Sequence, residues 1–275
     1  MNQTAEASVT RCAVLLLALA MLATTTHADP LPDCTAASLA GAYGVQRNGH
    51  AAGGSLLSAV GLAVFDGVGL ISGKETVSLT GTFAKREFTE TYQVNVDCTG
   101  TITNGSGEVT QIALTGDGSQ AFGMSLVAGN TEAVHYERVS DSGGGSGRCD
   151  LSSFTGRYVF QRNGRTPRGD LISIGVLSSD GHGAGPATET TGRNGVFTFV
   201  AVPGTYTLDA DCTGNGINTS GSVFSAFVVV HDGHEALGMS LTAGNNVVIH
   251  FERVTNPPAR HARNPDSCPV RPGVN

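Results

Sequence analysis

The chain repeats itself. Cys34 to Val139 and Cys149 to Val254 match along their whole length, with Cys34 to Cys149 separated by 115 positions and Asp66 to Asp180 by 114. Gly41-Ala-Tyr43 pairs with Gly156-Arg-Tyr158, and Gln46-Arg-Asn-Gly49 with Gln161-Arg-Asn-Gly164. Asp66-Gly67-Val-Gly69 pairs with Asp180-Gly181-His-Gly183, and Asp97-Cys98-Thr-Gly100 with Asp211-Cys212-Thr-Gly214. The last strand closes the pattern, His135-Tyr-Glu-Arg-Val139 matching His250-Phe-Glu-Arg-Val254. A drift of one residue over such a length is the mark of a duplicated complete unit, so two domains are expected. A flexible Gly/Ser linker over 140–148 joins them.

Within a copy, apolar residues alternate. Tyr92, Val94 and Val96 are interleaved with Gln93 and Asn95, and Tyr206, Leu208 and Ala210 follow the same rhythm. A period of two is the signature of strands with one buried face. Turn pairs such as Asp66-Gly67, Asn104-Gly105 and Asp117-Gly118 punctuate it. About eight strands per copy are expected, near 41–48, 56–66, 69–79, 87–97, 99–104, 108–115, 119–128 and 131–139. The fold class is therefore all-β, as two tandem small antiparallel up-and-down barrels, since closure removes exposed edges. Two β-sandwiches are the alternative.

Arg11, the apolar run from Ala13 to Ala23 and the small residues around His27 read as a secretory signal over 1–28. The run is too short for a stable membrane span. A periplasmic or secreted location is expected, with the protein not embedded in a membrane. In that compartment Cys34 pairs with Cys98 and Cys149 with Cys212, because alternating strands bring the start of strand 1 and the end of strand 4 to one barrel end. Cys268 is left over in a Pro/Arg tail over 255–275 expected to be disordered, where it offers a cross-link to a second chain or a partner. The formal net charge of −7 argues against a general nucleic-acid binder.

The Gly-x-Tyr opening, the Asp-Gly-x-Gly hairpin and the Asp-Cys-Thr-Gly turn together resemble uncharacterised secreted bacterial β proteins. More distantly the layout is similar to calycin (lipocalin-like) and allene-oxide-cyclase-like barrels. In lipocalins a Gly-x-Trp on the first strand stacks against an Arg near the end of the last. That resemblance implies Tyr43 with Arg138, and Tyr158 with Arg253, as plugs of the closed ends through cation–π contacts.

Candidate chemistry is sparse. Arg47 and Arg162 share a strand face with inward residues; each would hold an anionic head group, pair with an internal acid or reach out at the rim. His135 with Glu137, and His250 with Glu252, form an H-x-E pair on the outward face; as a metal site it lacks a third donor in the sequence. His182, His231 and His234 have no counterparts in the first copy. The Asp-Gly-x-Gly segments read as hairpins and not as calcium loops. No catalytic residue, metal or cofactor is assigned. The expected function is non-enzymatic: a carrier of a small apolar or anionic ligand, or a scaffold for a protein partner. The alternative is a cyclase- or isomerase-like enzyme acting on a lipid-like substrate in the barrel lumen. Most inward positions read as bulky and apolar, so a packed lumen would leave only surface-mediated interaction.

Overall fold

A computed structural model describes residues 33–140 and 148–255. The signal segment, the middle of the linker, most of the tail, Cys12 and Cys268 lie outside the described residues. The first repeat contains strands β1 Gly41–His50, β2 Leu56–Phe65, β3 Leu70–Leu79, β4 Thr82–Val94, β5 Thr99–Thr103, β6 Val109–Leu114, β7 Gln120–Ser125 and β8 Thr131–Arg138. Each strand pairs antiparallel with the next, and β1 also pairs with β8, giving a closed barrel. β4 begins five residues earlier than the sequence pattern suggests, because its first half keeps pairing with β3 through an alternation weakened by Lys85, Arg86 and Glu87.

The second repeat forms one nine-stranded sheet: β9 Thr155–Thr166, β10 Gly169–Asp180, β11 Ala187–Arg193, β12 Val196–Val202, β13 Gly204–Leu208, β14 Thr213–Asn218, β15 Val223–Val230, β16 Glu235–Ser240 and β17 Asn246–Arg253. The ninth strand is a broken copy of β4. Ser72 and Thr89 face each other across β3 and β4; the residues at those two positions in the second repeat are Pro186 and Pro203. Proline has no N–H to give to a ladder, so a facing pair removes two donors. β11 starts just after Pro186, and β12 stops just before Pro203. Beyond the break the circle is held by the Ala184–Thr205 bridge, Gly185 N–H donating to Gly204 O at 3.0 Å and Tyr206 N–H donating to Gly183 O at 2.7 Å.

Both copies are sealed at one end in the same way. A short 3₁₀ turn, Ala36–Leu39 or Leu151–Ser153, carries Leu39 and Phe154 into the bottom of its barrel, both fully buried. Aromatic rings fill the layer above. Phe65 meets Tyr43, Tyr92 and Tyr136 edge-on at 5.0–5.6 Å between centroids, and Phe154 sits among Tyr158, Tyr206 and Phe227. The disulfides Cys34–Cys98 and Cys149–Cys212 staple this end, with Cα atoms 4.9 Å apart in each. Asp97 and Asp211 accept from Thr99 and Thr213 and so hold the intervening Cys in a left-handed turn. The Asp66 carboxylate accepts from three backbone N–H groups, of Val68, Gly69 and Leu70, which makes the Asp-Gly-x-Gly segment a hairpin turn.

The two repeats pack through unlike surfaces. The outer face of β1 and β2, with Phe83 of β4, lies on the outer face of β15–β17. Ala42, Val60, Leu62 and Phe83 join one apolar cluster with Val228, Val230 and Leu237. β15 is consequently buried on both faces over most of its length.

Candidate functional site

In the first lumen Arg47 donates through Nε to Glu132 and through Nη1 to Glu75 Oε1 at 3.2 Å, and Arg86 donates to the same Glu75 oxygen at 2.6 Å. Glu75 and Glu132 are almost wholly buried. Burial opposes the charge on Arg47, but the two carboxylates outweigh it and raise its pKa. Glu90 lies beside this network, and burial pushes its carboxyl up. The expectation of a bulky apolar interior fails here, because two acids from β3 and β8 and an arginine from β4 turn inward around Arg47. The remaining cavity is about 40 Å³.

The second lumen is simpler. Arg162 Nη1 donates to both oxygens of Glu189 at 3.0 and 2.9 Å, and Ser173 Oγ donates to Glu189 Oε2 at 2.7 Å. Burial works against Glu189, yet the Arg162 charge and the Ser173 hydroxyl hold its pKa below the usual value. Below the pair, Phe160, Leu177, Tyr206, Phe224, Phe227 and Phe251 line a cavity of about 80 Å³. Neither lumen approaches the roughly 300–1,000 Å³ usual for small-molecule sites.

At the closed end of the first barrel, the Arg138 guanidinium lies 4.8 Å from the Tyr43 ring centroid and donates to the carbonyls of Ser38, Ala40 and Gly118. Arg253 occupies the matching place in the second, against Gly156. Burial pushes both Tyr43 and Tyr158 up to about 12, so each neutral phenol donates to a carbonyl, of Gly118 and Gly233 respectively. These groups are tied into the barrel end by hydrogen bonds to its own carbonyls.

His135 and Glu137 point toward the other repeat, and the fold supplies the donor that sequence alone could not. One ligand atom each from Glu137, His231 and Glu235 lies within 4.8 Å of the others. His231 comes from a 3₁₀ turn, His231–Gly233, whose first two residues have positive φ. Next to them His250 Nε2 is 3.0 Å from Glu235, Gln120 donates to Glu137 at 3.1 Å, and His135 stacks flat on Phe122. Burial and the Glu235 charge push Glu137 up, whereas the His250 hydrogen bond pulls Glu235 down. Two carboxylates and an imidazole are the donor set of a divalent cation, and equally of a shared proton. His182 and His234 do not belong to this group.

A cleft of about 350 Å³ opens where the repeats meet, lined by Lys74, Lys85, Arg86, Glu87, Asp209 and Asn215 among others. Its cations are already engaged in part, Lys74 with Asp211 and Arg86 with Glu75.

Another unfilled feature is on the outside of the second repeat. Ile174, Thr190 and Phe199 stand side by side across β10, β11 and β12, as do Ile172, Gly192 and Phe197. Ile174, Phe197 and Phe199 are 63%, 70% and 74% exposed. Neighbouring Val159 and Val176 extend the patch and line a shallow outer groove beneath His250. Monomeric soluble proteins rarely leave so contiguous an apolar surface uncovered.

No family model matches the chain, and no curated protein does. Among solved structures it is similar to a protein of unknown function from the DUF3598 family of Nostoc punctiforme, at 11% identity over 79% of this chain and 97% of that one, with a TM-score of 0.26. It is similar also to kievitone hydratase from Nectria haematococca (7%, 83% and 95%, 0.29) and to a porin-like protein from Bacteroides uniformis (10%, 78% and 96%, 0.22). Likeness at this level carries no functional argument. Among the described residues no helix is long and apolar enough to cross a membrane.

Proposed function

We propose that this is an exported, non-enzymatic interaction protein, two calycin-like barrels that fold as separate units and act through their outer faces. The observation that carries this reading is the apolar row Ile172, Ile174, Phe197 and Phe199, exposed on β10 and β12. The interiors support it from the other side. Arg47 and Arg162, the groups suited to an anionic ligand, are each engaged by buried carboxylates, so an incoming anion would have to displace a charge-assisted bond. Both disulfides accord with an oxidising compartment, periplasmic or extracellular.

The test is a photo-crosslinking residue at Thr190, in the middle of the apolar row, in protein expressed in its own host. A discrete covalent adduct is expected there and not from the same residue at Val68, an exposed turn position of the first repeat. Equal yields at the two sites overturn the reading.

A second reading has one observation in its favour. The aromatic cavity of the second lumen adjoins the Pro186/Pro203 break, where the wall lacks two ladder donors. A small apolar ligand carried there, or turned over there, would be retained in native mass spectrometry and lost on Gly185→Leu, since Gly185 faces Leu177 and Tyr206 in the cavity wall.

A further inference from the structure

The contact between the two repeats is heterologous: one face of a barrel meets a different face of the next. Face one is the outer side of β1 and β2 with Phe83, and face two is the outer side of β15–β17. Each face exists twice in the chain, and the internal contact uses only one copy of each. The spare face one is the apolar row on β9, β10 and β12. The spare face two is the outer side of β6–β8, where Phe122 and Met124 are 52% and 57% exposed. We infer that a second copy of this chain docks head to tail, its spare face one on the spare face two of its neighbour, repeating the internal contact between molecules. This rests on the reading of the outer faces as working surfaces.

Three observations favour a second copy over another occupant. First, the polar lock is duplicated. Gln46 Nε2 crosses the internal interface and donates at 2.9 Å to the carbonyls of both Gly238 and Ile249, which face each other on β16 and β17. Gln161 holds the same place on the spare face one and is exposed. Gly123 and Val134 face each other at the matching place on β7 and β8.

Second, the bulk is exchanged between the faces in a compensating way. Gly44 is required internally because a Cβ there would stand 2.4 Å from Val230 and 2.8 Å from Val228. On the spare faces the glycine becomes Val159, and the two valines become Thr115 and Ala113. Likewise Val60 becomes the larger Ile174 on the spare face one, while Val248 of β17 becomes Ala133 on the spare face two. At these positions the volume that one spare surface gains the other gives up.

Third, the exposed part of the spare face two stands clear of the internal contact. Phe122 and Met124 lie on β7, with β8 between them and β1, and it is Glu137 of β8 that meets the second repeat. One barrel can therefore hold a neighbour on each face. Repetition of such a contact gives a ring if the rotation closes and an open chain if it does not.

The experiment uses the exported protein in a Cys268→Ser background, so that a tail disulfide cannot imitate assembly. Wild-type faces should give a mass in sedimentation velocity that rises with concentration. Ile174→Asp with Phe199→Asp abolishes the rise, and so does Phe122→Asp with Met124→Asp. Mixing the two double variants restores association, now stopping at a dimer, because each supplies the face the other lacks; that recovery also shows both to be folded. Gln161→Ala weakens association by about tenfold, as loss of a buried charge-free hydrogen-bond donor at the centre of a contact does. A concentration-independent monomer overturns the inference, as does a dimer insensitive to the Phe122/Met124 pair, which would mean face one meeting itself. The Thr190 crosslink separates the two levels of the argument. An adduct of twice the chain mass supports self-assembly, an adduct to a different protein overturns it while leaving the interaction reading intact, and no adduct overturns both.

Discussion

The two lumens show how far one barrel can be refitted without moving its frame. Arg47 and Arg162 occupy the same position, and so do their partners Glu75 and Glu189. Around Arg47 the first repeat adds Glu132, Arg86 and Glu90; the second has Val247, Val200 and Gly204 in those places. Five charged groups thus become a single ion pair, and the space released is an aromatic-lined cavity. The closed end, by contrast, is the same in both: disulfide, tyrosine to carbonyl, aromatic layer. The ends specify the fold, and the middle of the wall is open to change. In each lumen arginine and carboxylate are kept together, as expected when an unpaired buried charge is far more costly than an apolar replacement.

That comparison can be broken in four ways. Removing either disulfide, as Cys34→Ala/Cys98→Ala or Cys149→Ala/Cys212→Ala, should cost about 4 kcal/mol, nearly equally, because the closed loops span 64 and 63 residues. Urea unfolding of the two variants checks this, and a large inequality would show that the ends are not equivalent after all. Next, Glu75→Ala should cost about 3 kcal/mol, since it strips one partner from Arg47 and the carboxylate from Arg86. Third, Pro186→Ser with Pro203→Thr restores the residues of the first repeat and should stabilise the second by about 1 kcal/mol for each ladder bond regained, with slower amide exchange in β11 and β12.

The smallest effect is on pH dependence. Glu189 has a folded pKa below its unfolded one, so its contribution is present at neutral pH and is lost as pH falls through the carboxylate range. Glu90 is raised, binds its proton more tightly when folded, and so favours folding on acidification. The second repeat should therefore lose stability first in mild acid, and Glu189→Gln should flatten that limb in a denaturation series across pH.

Much of the frame is readable from the chain alone. The alternation of Tyr92, Val94 and Val96 places a strand, and the Asp-Cys-Thr-Gly turn places the staple, because both depend on near neighbours. The luminal network is different. Arg47, Glu75 and Glu132 come from three strands spread over 85 residues, and only the register shows that they meet. The break in the second wall was equally hidden: Pro186 and Pro203 are unremarkable singly and decisive only as a facing pair. His231 has no counterpart in the first repeat, and its approach to Glu137 depends on how the two barrels dock.

The open margin of β12 has a consequence beyond the lumen. β12 is hydrogen-bonded to β11 on one side, and among the described residues it has no strand on the other. Its sequence, Val-Phe-Thr-Phe-Val-Ala-Val over 196–202, carries no charge and no proline, whereas the matching stretch of β4 carries Lys85, Arg86 and Glu87. Seven such residues with a bare backbone margin are the raw material of cross-β stacking. If this margin is left without a cover, the second repeat is where amyloid-like growth would nucleate.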